Sequence, residues 1–436
     1  MDILQGTKNK FDQVELLNKE TKELKIRVEN WDLEGITQKN LSSSSLRVIK
    51  NGKFGSNYTL GNSEDTIDKL IEGAEESAYY GSEANIKFST DKINEVKDES
   101  RKNYENIDAK RVFSFIEEIL TYTYKKNKDI TFNLYLNKSL DNIYIKTSEG
   151  GNLKENMSNF QLTFGAPVPG GGTEITRSYV KDSMFDKSFA KDIDEFIDEY
   201  EKAKDISIPK TGSMPVLFSP QSLYFIFVSL QEGISGKKIY QQTSPLIDRK
   251  GDKIFSEKFA IVDDPHMKNS NYSRYFDDEG ILTKKRTIIE NGILKNYIYD
   301  LEYANKLDVQ PTGNGLKRQL FREDISTSVF PSLINPVIQP GSENKKSLIA
   351  SLDEGIYATN IIGFHSSNYE QGQFSVQAQG FHVKNGQLIG RLQDVMMAGN
   401  IYDDFQNIIG IGNKVYPTMW GFSPYMLVDN ISVTGQ

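Results

Sequence analysis

Three histidines, His266, His365 and His382, are the only imidazoles in this chain, and it has no cysteine. A catalytic zinc takes three protein ligands. His382 follows Phe381 in a strand-like run and His365 precedes Ser366-Ser367 in a loop-like one. No H-x-x-x-H spacing places two imidazoles on one helix. Zero Cys also excludes disulfides, thiolate metal sites and a Cys nucleophile. Carboxylates are more plentiful. Asp263-Asp264 and Asp277-Asp278-Glu279 could supply oxygen ligands for Ca²⁺ or Mg²⁺. The D-x-[DN]-x-[DN]-G loop is absent, however, and Asp caps turns well. Two Asp-rich turns are the plainer reading. No G-x-S-x-G elbow points to a serine hydrolase. Pro167, Pro169 and Gly170-Gly171-Gly172 mark a mobile loop. It lacks the Lys-Ser/Thr and following helix that a phosphate loop requires.

The elements that would position such groups can be read from periodicity. Gln13 to Leu16, Leu24 to Val28 and Leu46 to Ile49 read as strands, and Asn51-Gly52 before Phe54 is a hairpin signal. Ser42 to Ser45 reads as a polar strand end. Ile67, Leu70, Ile71, Ala74 and Ala78 follow the helical period within Ser63 to Tyr80. Residues 82–106 are polar and read as a loop. Helices follow at about Asp108 to Lys126 and Lys187 to Lys204. Between them lie strands at Ile130 to Leu136, Asn142 to Lys146 and around Phe160 to Phe164. Pro209 and Gly212 break the pattern at Ser207 to Ser213, the expected domain boundary. The later chain is strand-rich: Lys284 to Glu290, Ile293 to Tyr299, Gly355 to Ile362, Phe374 to Val383 and Gln387 to Val395. Ser347 to Leu352 and Asn400 to Asn407 read as short helices. The expected class is α+β, with an N-terminal mixed α/β domain over 1–206 and a C-terminal, largely antiparallel β domain over 207–436.

Between the two lies Ser219 to Ser244. Ser219 is a good N-cap and Pro220 suits the first helical position. Leu223 to Val228 are apolar without a break, so the helix is apolar all round and must be buried all round. Gly233 reads as its C-cap, which makes a buried helix over 219–232, followed by a polar Gly/Ser/Lys loop.

The ordered set Gly233-Ile-Ser-Gly236, Thr243-Ser244-Pro245-Leu246, Val262-Asp263-Asp264-Pro265, Phe276-Asp277-Asp278-Glu279-Gly280 and Glu290-Asn291-Gly292 resembles the TldD/PmbA family. These are the "modulator of DNA gyrase" proteins, classed as zinc metallopeptidases. The resemblance continues through Thr312-Gly313-Asn314, Gly372-Gln373-Phe374-Ser375 and Ala398-Gly399-Asn400. It is strong in the second half and weak in the first. Catalytic members carry H-E-x-x-x-H on the central helix, and aligning Gly233 with the glycine after that motif sets Phe227, Val228 and Glu232 at the His, Glu and His positions. The family's Cys ligand has no counterpart either. The resemblance therefore implies the PmbA/TldE branch, a non-catalytic subunit with no metal and no cofactor. Its implied partners are a zinc-bearing TldD-like subunit or a second copy of itself, and an unfolded peptide. The alternatives are a stand-alone hydrolase with a different metal site, or an inactive peptide-binding homodimer.

Phe374, Ser375, Val376 and Gln377 are the expected peptide contacts. Glycines around them, among them Gly363, Gly372 and Gly380, fit either the turns and bulges of a β domain or a sheet edge open to an added strand. The net charge of −8 without a basic run argues against nucleic acid. No apolar run approaches the ~18 residues of a membrane span. Met1-Asp-Ile-Leu-Gln-Gly lacks the features of a signal peptide, so cytoplasm is the expected location.

Overall fold

The computed structural model describes residues 3–7, 9–61, 63–97, 109–168, 174–180, 189–268, 270–319 and 322–435. The Gly170–Gly172 loop lies outside them, as do the first residues of the two helices expected from 108 and 187.

The first half builds a seven-stranded sheet. Its strands are β1 (Gln13–Glu29), β2 (Asp32–Lys50), β3 (Lys53–Leu60), β4 (Lys92–Lys97), β5 (Asn133–Thr147), β6 (Asn152–Pro167) and β7 (Glu174–Val180). The order is β3-β2-β1-β5-β6-β4, with β7 also on β6. All neighbours are antiparallel except β4, which runs parallel to β6. The short runs read from sequence fuse into long strands. Asn30 and Trp31 make the β1–β2 turn with φ of 47° and 75°, and Asn51-Gly52 the next with 51° and 73°. Both residues of each turn have positive φ, as a two-residue hairpin of the type I′ form needs. β4 falls inside the polar stretch expected to be a loop. Its polar sequence, KINEVK, lacks the apolar alternation that marks a strand, and pairing with β6 decides it.

Register sets the core. Ile26, Leu136 and Leu162 stand opposite one another across β1, β5 and β6, as do Val28, Leu134 and Phe164. On this face lie helices α2 (Ala109–Lys126) and α3 (Ala190–Lys202), through Val112, Phe115, Ile116, Ile193 and Phe196. The near end of the sheet is covered by α1 (Glu64–Tyr79), capped by Ser63. Gly55 is needed there, because a Cβ would collide with the backbone of Ala74 and Ala78.

The second half closes a barrel. Its strands are β8 (Gly212–Phe218), β9 (Glu354–Ile362), β10 (Gln373–Lys384), β11 (Gln387–Arg391), β12 (Met396–Asn400), β13 (Ile408–Ile411) and β14 (Met426–Thr434). Pairings β9–β8, β8–β14, β14–β12, β12–β10 and β10–β9 complete a ring. β8 begins at Gly212, within the stretch read as an interdomain break. A smaller sheet joins 261–263, 286–290, 293–294, 336–338, 416–417 and 422–423. The strand expected over 293–299 is therefore only two residues long.

Side chains alternate between the two sides of the barrel wall. Val216, Phe218, Ile356 and Val428 join the core around the central helix. Leu217, Tyr357, Phe381 and Leu427 join the core of α2, α3 and the first sheet. A second link is ionic. Arg47 on β2 makes two hydrogen bonds of 2.7 Å to Glu15, its cross-strand neighbour, and one of 2.6 Å to Glu279 from the second half. All three are buried. Breaking a buried pair leaves an uncompensated charge. We expect Arg47→Ala to destabilise the chain by about 3–5 kcal/mol, read by urea unfolding; a loss below ~1 kcal/mol, the scale of an exposed pair, would show that the cluster is solvated.

Candidate functional site

Ser219 does cap the central element: its Oγ accepts from the Ser222 N–H at 3.1 Å. A 3₁₀ turn over Gln221–Leu223 then leads into α4 (Tyr224–Ile234). Gly233 is not its C-cap. The helix runs two residues further, to Ile234 with its cap at Ser235, and the expected polar loop is helix α5 (Gly236–Tyr240). Gly233 is small because a Cβ would strike the Tyr402 hydroxyl and crowd Leu246.

Phe227 and Val228 are 2% and 5% exposed, inside the core shared with the barrel. Phe225 packs among Phe218, Phe364, Phe374 and Phe405 with ring centroids 5.2–5.9 Å away. Glu232 is the one ionisable group among the three motif positions. It lies 3.7 Å from Lys238, whose ammonium also meets Glu370 at 2.8 Å. Burial raises the Glu232 carboxyl to about 7 against the pull of Lys238, and Glu370 adds to the rise. A phenyl ring, an isopropyl group and one carboxylate held by lysine do not fit a zinc site, which wants three N, S or O donors around an open position. Among the described residues no three His, Asp or Glu gather where they could hold a metal.

The three histidines are apart. His266 bonds Thr283 through Nε2 at 3.0 Å and stacks on Tyr275. His365 sits on a short 3₁₀ turn. His382 is buried on β10, with Nδ1 2.9 Å from the Ser207 hydroxyl.

The acidic turns are structural. Asp263 accepts from the N–H groups of Ile334 and Asn335 and from Asn314. Asp264 pairs with Lys285 at 2.7 Å. Asp277 accepts from the backbone of Glu279, Ile281 and Gly315. Asp278 holds Arg274 and the Lys317 N–H. Glu279 meets Arg47 and accepts from Leu301 at the start of α6 (Leu301–Lys306). Burial raises Asp277, with Glu279 reinforcing the rise, and lifts Asp300, which caps α6, to about 8.

Phe374–Gln377 offers no open edge. On one side it pairs with β12, Phe374 opposite Gly399 and Val376 opposite Met397. On the other, the Ser375 N–H donates to Ser367 Oγ at 3.0 Å, the Ser367 hydroxyl donates back to the Ser375 carbonyl at 3.2 Å, and Gln377 pairs with Ile362 on β9. Phe374 and Val376 point into the core, and only Ser375 is exposed. Barrel closure thus corrects the strand-addition reading of these four residues: both ladders are already occupied.

Sequence reasoning missed an open cleft of about 1310 Å³ between the two halves. Arg177 on β7, Glu199 on α3 and Lys345 at the start of α7 (Lys345–Ala350) meet on its floor beside Tyr357 and Tyr425. Burial alone would raise the Glu199 carboxyl, but Arg177 and Lys345 outweigh it and hold it at about 2. These residues come from three distant segments, and no spacing in the sequence connects them.

Residues 211–435 match the family model described as PmbA/TldA metallopeptidase C-terminal domain, and residues 18–78 match PmbA/TldA metallopeptidase domain 1. A "Metalloprotease PmbA homolog" of Buchnera aphidicola subsp. Baizongia pistaciae is 27% identical over 225 residues, covering 52% of this chain and 47% of that protein. A "Metalloprotease TldD homolog" of Buchnera aphidicola subsp. Acyrthosiphon pisum is 30% identical over 207 residues, covering 47% and 42%. The chain spans about half the length of the curated relatives it matches. The crystal structure of TldE from Thermococcus kodakarensis superposes with a TM-score of 0.89 at 20% identity, over 100% of this chain and 99% of that one. At that identity the likeness establishes the fold.

Glu232 yields a pH prediction. It keeps its proton to about pH 7 when folded, against an ordinary value of 4.5. Across that window the folded state binds more protons than the unfolded one, so stability falls as pH rises and levels off above it. Glu232→Gln should remove this fall and leave the variant roughly 2–3 kcal/mol more stable than the parent above pH ~7. Urea unfolding below and above the window reads the difference, and parallel curves for parent and variant would refute it.

Proposed function

The chain belongs to the PmbA/TldD metallopeptidase family, and we propose that within it this chain is a TldE-like, non-catalytic subunit of a peptidase that acts on unfolded peptides. The observation that carries the reading is the central helix. Where catalytic members are expected to hold zinc and a general base, Phe227 and Val228 are core residues and Glu232 is tied to Lys238. Neither hydrocarbon side chain can bind a metal or move a proton. The TldE from Thermococcus kodakarensis shares the whole fold. In this reading a TldD-like partner supplies metal and base in the cytoplasm, and this chain forms part of the wall that receives the peptide. No helix among the described residues is long and apolar enough to cross a membrane.

Two outcomes test the proposal. The purified chain should contain no stoichiometric zinc by elemental analysis, should scatter light as a dimer, and should be inert towards an unfolded peptide until a TldD-type homologue is added. One tightly held zinc per chain, or peptide cleavage by this chain alone, would overturn it. Secondly, Phe227→His, Val228→Glu and Glu232→His together should not create a peptidase. Residues five apart on a continuous helix stand about 140° apart, at ~100° per residue. α4 is regular from 224 to 234, and the new polar groups cost roughly 1–3 kcal/mol each if unpaired. A triple variant that keeps its melting temperature and cleaves peptide with added zinc would show an intact site lacking only its ligands.

A further inference from the structure

Phe227, Val228 and Glu232 do not line the cleft, whereas Ser219, Pro220 and Gln221, which lead into α4, do. Its floor sets two cations against one carboxylate. Lys345 Nζ donates to Glu199 Oε1 at 2.6 Å, and Arg177 Nη2 lies 3.1 Å from Glu199 Oε2. Arg177 also donates through Nη1 to the Thr176 carbonyl at 2.9 Å. The Glu199 side chain is 5% exposed, whereas Arg177 and Lys345 keep 21% and 20%. Among the described residues one positive charge is therefore left over at the bottom of an opening, in a chain whose net charge is −8. In such a partly desolvated place a charge-assisted hydrogen bond to an anion is strong. The Lys345 ammonium stands 5.0 Å and 5.5 Å from the ring centroids of Tyr357 and Tyr425, and Tyr416 meets Tyr425 edge-on at 5.6 Å. Aromatic walls beside a cation suit an anion carried on an apolar or aromatic stem.

The rim decides which anion. Around the cluster the lining carries five carboxylates and five lysines, so the excess of one positive charge on the floor matches a single carboxylate rather than a polyanion. The volume exceeds the ~300–1,000 Å³ of ordinary small-molecule pockets, which leaves room for a length of chain. We propose that this cleft takes the C-terminal carboxylate of an extended peptide, held by Lys345 and Arg177, with its last side chain against Tyr357, Tyr425 and Tyr416. The inference rests on the peptide reading above and adds the end of the chain that is recognised.

The test is fluorescence anisotropy of the full-length protein with a labelled, unstructured peptide ending in tyrosine, as the free acid and as the C-terminal amide. The acid should bind about tenfold or more tightly than the amide, a gap of ~1.4 kcal/mol. Lys345→Met should abolish that preference and Lys345→Arg should keep it, with thermal melting run beside both. If Lys345→Met does not fold, competition on the parent protein reads the same contact: N-acetyl-tyrosine should displace the peptide and its amide should not. Equal binding of acid and amide would overturn the carboxylate site while leaving the peptide reading standing. No binding of either form would overturn both. A folded Lys345→Met that still prefers the acid would overturn the placement in this cleft.

Discussion

A helix with no polar face has to be enclosed, and most of the second half of this chain is arranged to enclose one. Phe225, Ile226, Phe227, Val228 and Leu230 are at most 5% exposed. Burying one such side chain is worth about 1.5–3 kcal/mol, so exposing even one turn of this helix would consume a large part of an ordinary domain's stability of ~5–15 kcal/mol. The barrel strands meet this demand by alternation, with one set of side chains turned to the helix and the other to the first half. Closing the ring also removes the free edges that Phe374–Gln377 would otherwise have presented.

The two halves are consequently not joined by a linker alone. Leu217, Tyr357, Phe381 and Leu427 from the barrel share a core with Phe160, Phe164 and Phe196. The buried Arg47–Glu15–Glu279 cluster adds a contact that tolerates little displacement, because a bidentate guanidinium–carboxylate pair fixes both distance and plane. Gly315 shows how tight the fit is: a Cβ there would collide with the Glu279 carboxylate. The acidic turns that resemble a cation site are absorbed by this framework, since each carboxylate accepts backbone or guanidinium hydrogen atoms.

The central helix and the cleft differ in what their side chains do. Along the central helix, Phe227 and Val228 contribute to the core and Glu232 meets Lys238. In the cleft, polar and aromatic side chains from both halves converge, and an ion cluster lies where water can reach it. The first arrangement stabilises the fold, and the second is compatible with recognition.

Much of this was legible in the chain itself. Periodicity located α1, α2 and α3, the Asn51-Gly52 pair located a hairpin turn, and the unbroken run Leu223–Val228 required a buried helix. The ordered Gly- and Asp-containing segments of the second half carried the family. These readings succeed because they rest on local sterics and on the burial of consecutive side chains. What failed was nonlocal. β4 is a strand because β6 lies beside it, not because KINEVK alternates. Gly233 is a glycine because of Tyr402, far along the chain, and not because a helix stops there. Ser375 is closed to an added strand because Ser367 and β12 reach it in space. Arg177, Glu199 and Lys345 are ordinary surface-type residues in sequence. Only the packing of α3 and α7 against the barrel sets two cations on one carboxylate, because tertiary structure, and not spacing, fixes which charges leave water together.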